Sequence, residues 1–194
     1  MINDYSISGK LGDLRGRVVI NIGDGKNGAI PTHSDVIQFM CDIGYIPTTT
    51  LIWNKNQTSC RTACGSFISP SSPSFPRTFE FVLVFCKTSM KLAEKGETDL
   101  TKDEFVENSK SIWNIAPDKN MKIYGHPAVF PEELVRRCIK MFSRKDSLVL
   151  DPFMGSGTVA VVCKKTKRHY IGFDISEEYC KTAEKRIEST KLES

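Results

Sequence analysis

Asp151, Gly155, Gly157 and Asp174 are the residues of this chain whose types and spacing best suit chemistry. The first three lie in Asp151-Pro152-Phe153-Met154-Gly155-Ser156-Gly157-Thr158 and the fourth closes Tyr170-Ile171-Gly172-Phe173-Asp174. An apolar run, Ser147-Leu148-Val149-Leu150, precedes the first stretch, and Val159-Ala160-Val161-Val162-Cys163 follows it. This reads as a strand, a glycine-rich turn and a helix, the arrangement that cradles a nucleotide-like cofactor. The glycines allow a sharp turn and a close backbone approach where a Cβ would clash. A carboxylate at Asp174, ending the next apolar run, can accept hydrogen bonds from ribose hydroxyls, or can cap the helix after it.

Dinucleotide enzymes and methyltransferases both use such a turn, so the glycine spacing alone leaves NAD open. The residue before the turn separates them. Asp151 places a negative charge where a pyrophosphate would sit; it repels phosphate but suits the ammonium of an amino-acid moiety. S-adenosylmethionine carries that ammonium and a ribose and lacks phosphate, so electrostatics favours it.

The elements that must position these residues alternate along the chain. Gly16-Arg17-Val18-Val19-Ile20-Asn21-Ile22 reads as a buried, parallel strand, followed by the glycine-rich loop Gly23 to Gly28. Ser34 is the expected cap of a helix facing inward with Val36, Ile37, Met40 and Cys41, which Gly44 stops. Strands are expected near Thr48 to Trp53 and Phe79 to Cys86, with a polar stretch, Asn54 to Arg77, between them. Lys87 to Met121 is charged and irregular, with a short helix around Lys102 to Asn108. A helix opens at Pro131-Glu132-Glu133 and buries Leu134, Val135, Cys138 and Ile139; a last one from Ser176 turns Tyr179, Cys180, Ala183 and Ile187 inward. Strands alternating with helices predict an α/β sheet.

At 194 residues the chain fits one domain with a substantial core. It has no apolar run of membrane-spanning length, and its start lacks the apolar stretch of a secretion signal, so the expected compartment is the cytoplasm. The seven cysteines are scattered, and Cys60 and Cys64 lack a second pair to complete a zinc site; buried reduced thiols are expected and no metal. A net charge of +4 permits nucleic-acid binding without requiring it. Trp53 and Trp113 read as core or rim residues, and Lys164, Lys165, Lys167 and Arg168 as cations favoured at a helix C-terminus.

The stretch Val149 to Thr158 resembles the cofactor motif of DNA amino-methyltransferases, which modify N6 of adenine or N4 of cytosine. Gly125-His126-Pro127-Ala128-Val129-Phe130-Pro131-Glu132-Glu133-Leu134 resembles the segment preceding that motif in the permuted class, where the cofactor half follows the catalytic half. Leu51-Ile52-Trp53-Asn54-Lys55, Ala63 to Pro70 and Ser111 to Ile115 are also similar to family segments, although many relatives have tryptophan where Cys64 stands. The resemblance implies a Rossmann-like class I methyltransferase sheet, mixed and mostly parallel. It implies one methyltransferase domain over 1–194, with a catalytic-side half and DNA-facing loops in 1–121 and the S-adenosylmethionine-binding half in 122–194. The implied cofactor residues are Asp151, Phe153, Gly155, Ser156, Gly157, Thr158 and Asp174, with His126, Pro127 and Phe130 closing over the ligand. Lys55, Arg61 and Arg77 would face double-stranded DNA, in the setting of a restriction–modification system.

One family feature has no counterpart. Such enzymes carry Asp, Ser or Asn followed by Pro-Pro and an aromatic residue. Its side-chain oxygen and a proline carbonyl accept the amine hydrogens of a flipped-out base, making the nitrogen nucleophilic, while the ring stacks on the base. No proline here is followed by a second, so no catalytic residue is identified in this chain. Asp151-Pro152-Phe153 belongs to the cofactor turn. In relatives the tetrapeptide lies upstream of the strand equivalent to Val18 to Ile22. The resemblance therefore implies about five of seven strands, with a central one missing beside the cofactor strand. The expectation is a carboxyl-terminal part completed by an N-terminal chain or a homodimer partner. The competing reading is a non-enzyme that only binds cofactor or DNA.

Overall fold

The computed structural model describes residues 2–3, 16–56, 66, 69–73, 75, 77–92, 95–118 and 130–191. In chain order the elements are β1 (Ile2–Asn3), β2 (Arg17–Ile22), α1 (Thr32–Asp42), β3 (Ile46–Asn54), β4 (Phe79–Cys86), α2 (Lys102–Asn108), β5 (Ile112–Asn114), α3 (Glu132–Phe142), β6 (Leu148–Asp151), α4 (Thr158–Lys165), β7 (His169–Gly172) and α5 (Glu177–Ser189). The strands form one sheet in the order β5-β3-β4-β2-β1-β6-β7.

Strand alternation splits the core into layers. Val82 and Val84 of β4 join Val19, Leu51, Trp53, Trp113 and Ile115 under Leu134 and Cys138 of α3. Leu83 and Phe85, on the opposite face of β4, join Val18 and Met40, with Val36 and Ile37 of α1 packed on them. A third cluster holds Val135 and Ile139 of α3 against Val149 of β6 and Val159, Val162 and Cys163 of α4. Each such side chain contributes roughly 1.5–3 kcal/mol by leaving water, so β4, with four consecutive residues at 1% exposure, is the keel of the sheet.

Two polar anchors tie the remaining segments down. Arg168 is buried and grips Asp99 with both terminal nitrogens, at 2.7 and 2.8 Å. The reciprocal cap of Thr101 and Glu104 opens α2, and Glu104 also binds Arg136 and Lys140 of α3. Burial alone would raise the Glu104 carboxyl, but these hydrogen bonds outweigh it and hold the pKa at about 2.

The α/β sheet is mixed, as expected, but the parallel character lies in direction rather than in pairing. β2, β3, β5, β6 and β7 point the same way, yet only β3–β5 and β6–β7 pair in parallel. β2 is antiparallel to both neighbours, β1 and β4, which corrects its parallel reading. Continuous apolarity reports burial on two faces, and β2 has both without parallel neighbours. The described sheet counts seven strands, not five: β5 extends one edge by three residues, and the two-residue β1 stands between β2 and β6. Helix α1 begins at Thr32, with Pro31 as its cap residue, so Ser34 lies inside the first turn. Gly44 does end it, at φ +88. The segment after β2 is also more ordered than its glycines suggest: Gly25 bridges to Ile30 around a short 3-10 turn, Lys26–Gly28. On α5 only Ala183 is fully buried; Tyr179, Cys180 and Ile187 are half-buried.

Candidate functional site

β2 and β6 both run antiparallel to β1, so their carboxyl ends open on the same edge of the sheet. That edge is where α/β sheets bind ligands. Beyond β6 the chain turns through Phe153 to Gly157. The Phe173 N–H donates to the Asp151 carbonyl at 3.0 Å, and the Met154 N–H donates to the Phe173 carbonyl at 2.8 Å. Gly155 and Gly157 have φ +51 and +79, a left-handed region that glycine enters freely. At Gly157 a Cβ would also lie 2.6 Å from the Cβ of Ala183, so glycine there lets α5 pack against the turn.

The Asp174 carboxylate joins this turn to α5. One oxygen accepts the Gly155 N–H at 2.8 Å and the other accepts the Ser176 N–H at 2.8 Å. The cap of α5 is Ser176, whose hydroxyl accepts the Tyr179 N–H; Asp174 instead closes the turn leading into that cap and shapes the glycine turn. Ser156 and Thr158 are buried, and the Arg186 guanidinium binds the Ser156 carbonyl and hydroxyl at 2.6 and 3.0 Å and the Thr158 hydroxyl at 3.3 Å. Their side chains thus hold the turn onto α5. Arg186 carries no motif that would have revealed this clasp.

Asp151 and Phe153 open onto a cavity of about 460 Å³ lined also by Val19, Asn21, Leu134 and Phe130. Burial pushes the Asp151 carboxyl above its ordinary range, and the charge of Asp174 adds to that; the positive charge of the chain's amino terminus and the Phe153 N–H, at 3.2 Å, work against it without reversing it. Among the described residues no cation pairs with Asp151. A buried carboxylate in need of positive charge beside a glycine turn fits the ammonium-bearing end of S-adenosylmethionine. Phe153 is 87% exposed, and Phe130 touches Trp53 edge-on at 6.5 Å. His126 and Pro127 lie outside the described residues, as do Arg61, Cys60 and Cys64.

The same edge carries a pair that sequence reasoning missed. Asp24, two residues beyond β2, is buried; one of its oxygens takes the His33 N–H at 3.0 Å and lies 2.7 Å from His33 Nδ1. Burial alone would raise Asp24, but the hydrogen bonds from His33, aided by the Arg77 charge, lower it. The His33 ring stacks on Phe81 at 4.0 Å. The available signal was an acidic residue directly after an apolar strand. Of the expected DNA-facing residues, Lys55 is bound to Glu80 at 2.5 Å and lies over the Trp53 ring. The Arg77 guanidinium packs against Gly23, with one nitrogen buried and unpartnered. Trp53 and Trp113 are core residues, their indole N–H groups donating to the carbonyls of Ile115 and Asn108. Lys164, Lys165 and Arg168 are engaged within the fold, with the Ile187 carbonyl, Glu132 and Asp99 respectively.

A sheet of this order, with an acidic strand end and a glycine turn at its carboxyl edge, is a class I methyltransferase fold. The chain belongs to the N6/N4 DNA methylase family, whose model matches residues 11–185. It is 32% identical over 185 residues to the type II methyltransferase M.MjaI of Methanocaldococcus jannaschii, covering 89% of this chain and 61% of that protein. To the orphan methyltransferase M.BamHII of Bacillus amyloliquefaciens it is 29% identical, covering 90% of this chain and 75% of that protein. TTHA0409 of Thermus thermophilus, solved with S-adenosyl-L-methionine, superposes with a TM-score of 0.71 at 23% identity, over 92% of this chain and 73% of that one. The chain thus spans about three-fifths of the first curated relatives it matches.

Proposed function

We propose that this chain is the cofactor-binding and DNA-facing part of a DNA amino-methyltransferase, acting on N6 of adenine or N4 of cytosine in double-stranded DNA. The observation that carries this reading is Asp151: a buried carboxylate at the carboxyl edge, beside a glycine turn, without a cationic partner among the described residues. S-adenosylmethionine, when bound, supplies an electrophilic methyl group on a sulfonium sulfur. Asp151 would hold its ammonium and Asp174 would orient the turn, and could share its remaining lone pairs with the ribose. The backbone at Gly155 to Thr158 would approach the cofactor closely. The base amine would form the new N–C bond as the C–S bond breaks toward sulfur, and the methylated amine would then shed one proton.

Residues 1–121 would present the DNA-facing surface and 122–194 the cofactor surface. Relatives named as type II methyltransferases support a place in a restriction–modification system, with the cytoplasm as compartment. Among the described residues, no helix is long and apolar enough to cross a membrane. The acceptor for the amine hydrogens would come from a completing segment, either an N-terminal chain or a homodimer partner. Two measurements test the reading. Calorimetry should detect S-adenosylmethionine binding to the chain, and labelled-methyl transfer to unmethylated DNA should appear once that segment is present. Absence of cofactor binding would refute the assignment.

A further inference from the structure

The glycine turn after β6 is built from residues that hold their own shape poorly. Gly155 and Gly157 both take left-handed φ values, and glycine loses more conformational freedom on ordering than any other residue. A bond from the Gly157 N–H to the Met154 carbonyl, at 2.9 Å, closes the turn from within. The two ends of α5 fix it from outside. Asp174, just before that helix, takes the Gly155 N–H at 2.8 Å, and Arg186, in its last turn, donates to the Ser156 carbonyl at 2.6 Å. The same guanidinium nitrogen reaches the hydroxyls of Ser156 and Thr158.

Arg186 also faces the opposite wall of the cavity. Its second terminal nitrogen lies 4.0 Å from one oxygen of Glu132, whose other oxygen is bound by Lys165. Glu132 opens α3 and stands in sequence between Phe130 and Leu134, both of which line the cavity beside Asp151. One largely buried cation therefore touches the turn that follows Phe153 and the start of the helix that carries Leu134. A cation at a helix C-terminus is favourable without such contacts, but it then serves its own helix's carbonyls. This one reaches about thirty residues back along the chain. Packing of α5 on the turn is already provided by Ala183 against Gly157, so the planar, rigid guanidinium adds direction rather than area.

We infer that Arg186 is a positioning residue for the cofactor. Acting through the Ser156 carbonyl and the Glu132 carboxylate, it holds the glycine turn and the start of α3 in fixed relation, so the ligand meets a site already formed. A turn left loose would have to be ordered on binding, and ordering the backbone of one residue weakens an equilibrium by about 5- to 30-fold. The inference rests on the methyltransferase reading for the identity of the ligand, S-adenosylmethionine, and not for the clasp.

The test takes two readouts on the whole chain, unaltered or carrying Arg186→Met, Arg186→Lys or Asp99→Asn. Arg186→Met keeps the apolar stem and removes every donor. Asp99→Asn weakens the fold at the Arg168 pair without touching the turn, and so reports what lost stability alone does. In amide exchange without cofactor, Gly155 and Gly157 should exchange about tenfold faster in R186M, while Val149 and Leu150 of β6 keep their protection. In calorimetry, at a temperature where circular dichroism shows each variant folded, R186M should bind S-adenosylmethionine about 5- to 30-fold more weakly. R186K should fall between R186M and the unaltered chain, and D99N should bind as the unaltered chain does. If R186M does not fold, R186K carries both readouts with smaller shifts of the same sign. Unchanged exchange at both glycines would overturn the proposal, as would equal losses of affinity in R186M and D99N. An unaltered chain that binds no S-adenosylmethionine would sink the cofactor reading instead, and the exchange readout would still decide whether Arg186 fixes the turn.

Discussion

Replacing Gly157 with alanine tests whether the glycine turn is held by the close approach of α5. The new Cβ would lie 2.6 Å from the Ala183 Cβ and 3.1 Å from its Cα, where ordinary contacts begin near 3.4 Å. The backbone at φ +79 adds a separate cost. A left-handed conformation costs a non-glycine residue about 1–2 kcal/mol, and forcing a methyl into a packed contact costs about 1–3 kcal/mol. The sum for G157A is roughly 2–5 kcal/mol. Ala183→Gly removes the atom struck, and by itself costs about 1 kcal/mol of helix propensity. In the double variant most of the contact cost should go, with only the 3.1 Å approach to the Cα of residue 183 left, while the backbone cost stays, giving a favourable coupling of about 1–3 kcal/mol. Opening free energies from amide exchange at Val161 and Val162 in α4 read this locally, in all four forms of the cycle. The reasoning fails if G157A costs under about 1 kcal/mol, or if the coupling falls within the ~0.5 kcal/mol expected of independent sites.

Asp151→Asn should weaken S-adenosylmethionine binding by about 10- to 100-fold, the worth of a charge-assisted contact of ~1.5–3 kcal/mol, measured by calorimetry. Because burial raises the Asp151 pKa, the folded chain holds that proton to higher pH than the unfolded one. Stability therefore falls as pH rises from the ordinary carboxylate range through the raised value, and the asparagine variant escapes that loss. Cofactor affinity of the unaltered chain should rise over the same window, while that of the variant stays flat. Arg168→Met leaves Asp99 without its two-pronged partner and should destabilise the fold by about 3–5 kcal/mol in urea; D99N should be milder, because Arg168 keeps the carbonyls of Ser143 and Thr166. Burial pushes the thiols of Cys138 and Cys163 up to about 12, so at neutral pH a maleimide should label exposed Cys41 and spare both until the chain is unfolded, as read by mass spectrometry.

Local pattern carried the cofactor half. β6, the turn and α4 follow from an apolar run, two glycines and a second apolar run; α3 buries Leu134, Val135, Cys138 and Ile139 as its periodicity requires. α2 spans Lys102–Asn108 because Thr101 and Glu104 cap each other within four residues. What sequence left illegible is long-range. The direction of β2 depends on β4, some sixty residues away, and nothing in Arg17 to Ile22 encodes it. β5 is three residues long inside a charged stretch, too short for any period to register. The roles of Ser156 and Thr158 changed because Arg186, about thirty residues on, reaches their oxygens. Lys55 is likewise drawn into the fold by Glu80 across the β3–β4 pair.

The two carboxylates at the carboxyl edge show how environment divides labour between residues of the same type. Asp24 sits just past β2 and Asp151 closes β6, so they mark the ends of the two strands that flank β1. Burial pushes both upward. At Asp24 the fold supplies the answer itself: the backbone and ring of His33 donate to it, Arg77 adds positive charge, and the net direction is downward. At Asp151 burial outweighs the chain's amino-terminal charge and one backbone N–H, a neighbouring negative charge adds to it, and the net direction stays upward. A carboxylate satisfied from within can orient a ring such as His33, but it has little electrostatic reason to seek a ligand. One left short of positive charge gains most from a ligand that brings it. On that physical ground, Asp151 is the carboxylate we propose for the cofactor, while Asp24 fixes the His33 ring.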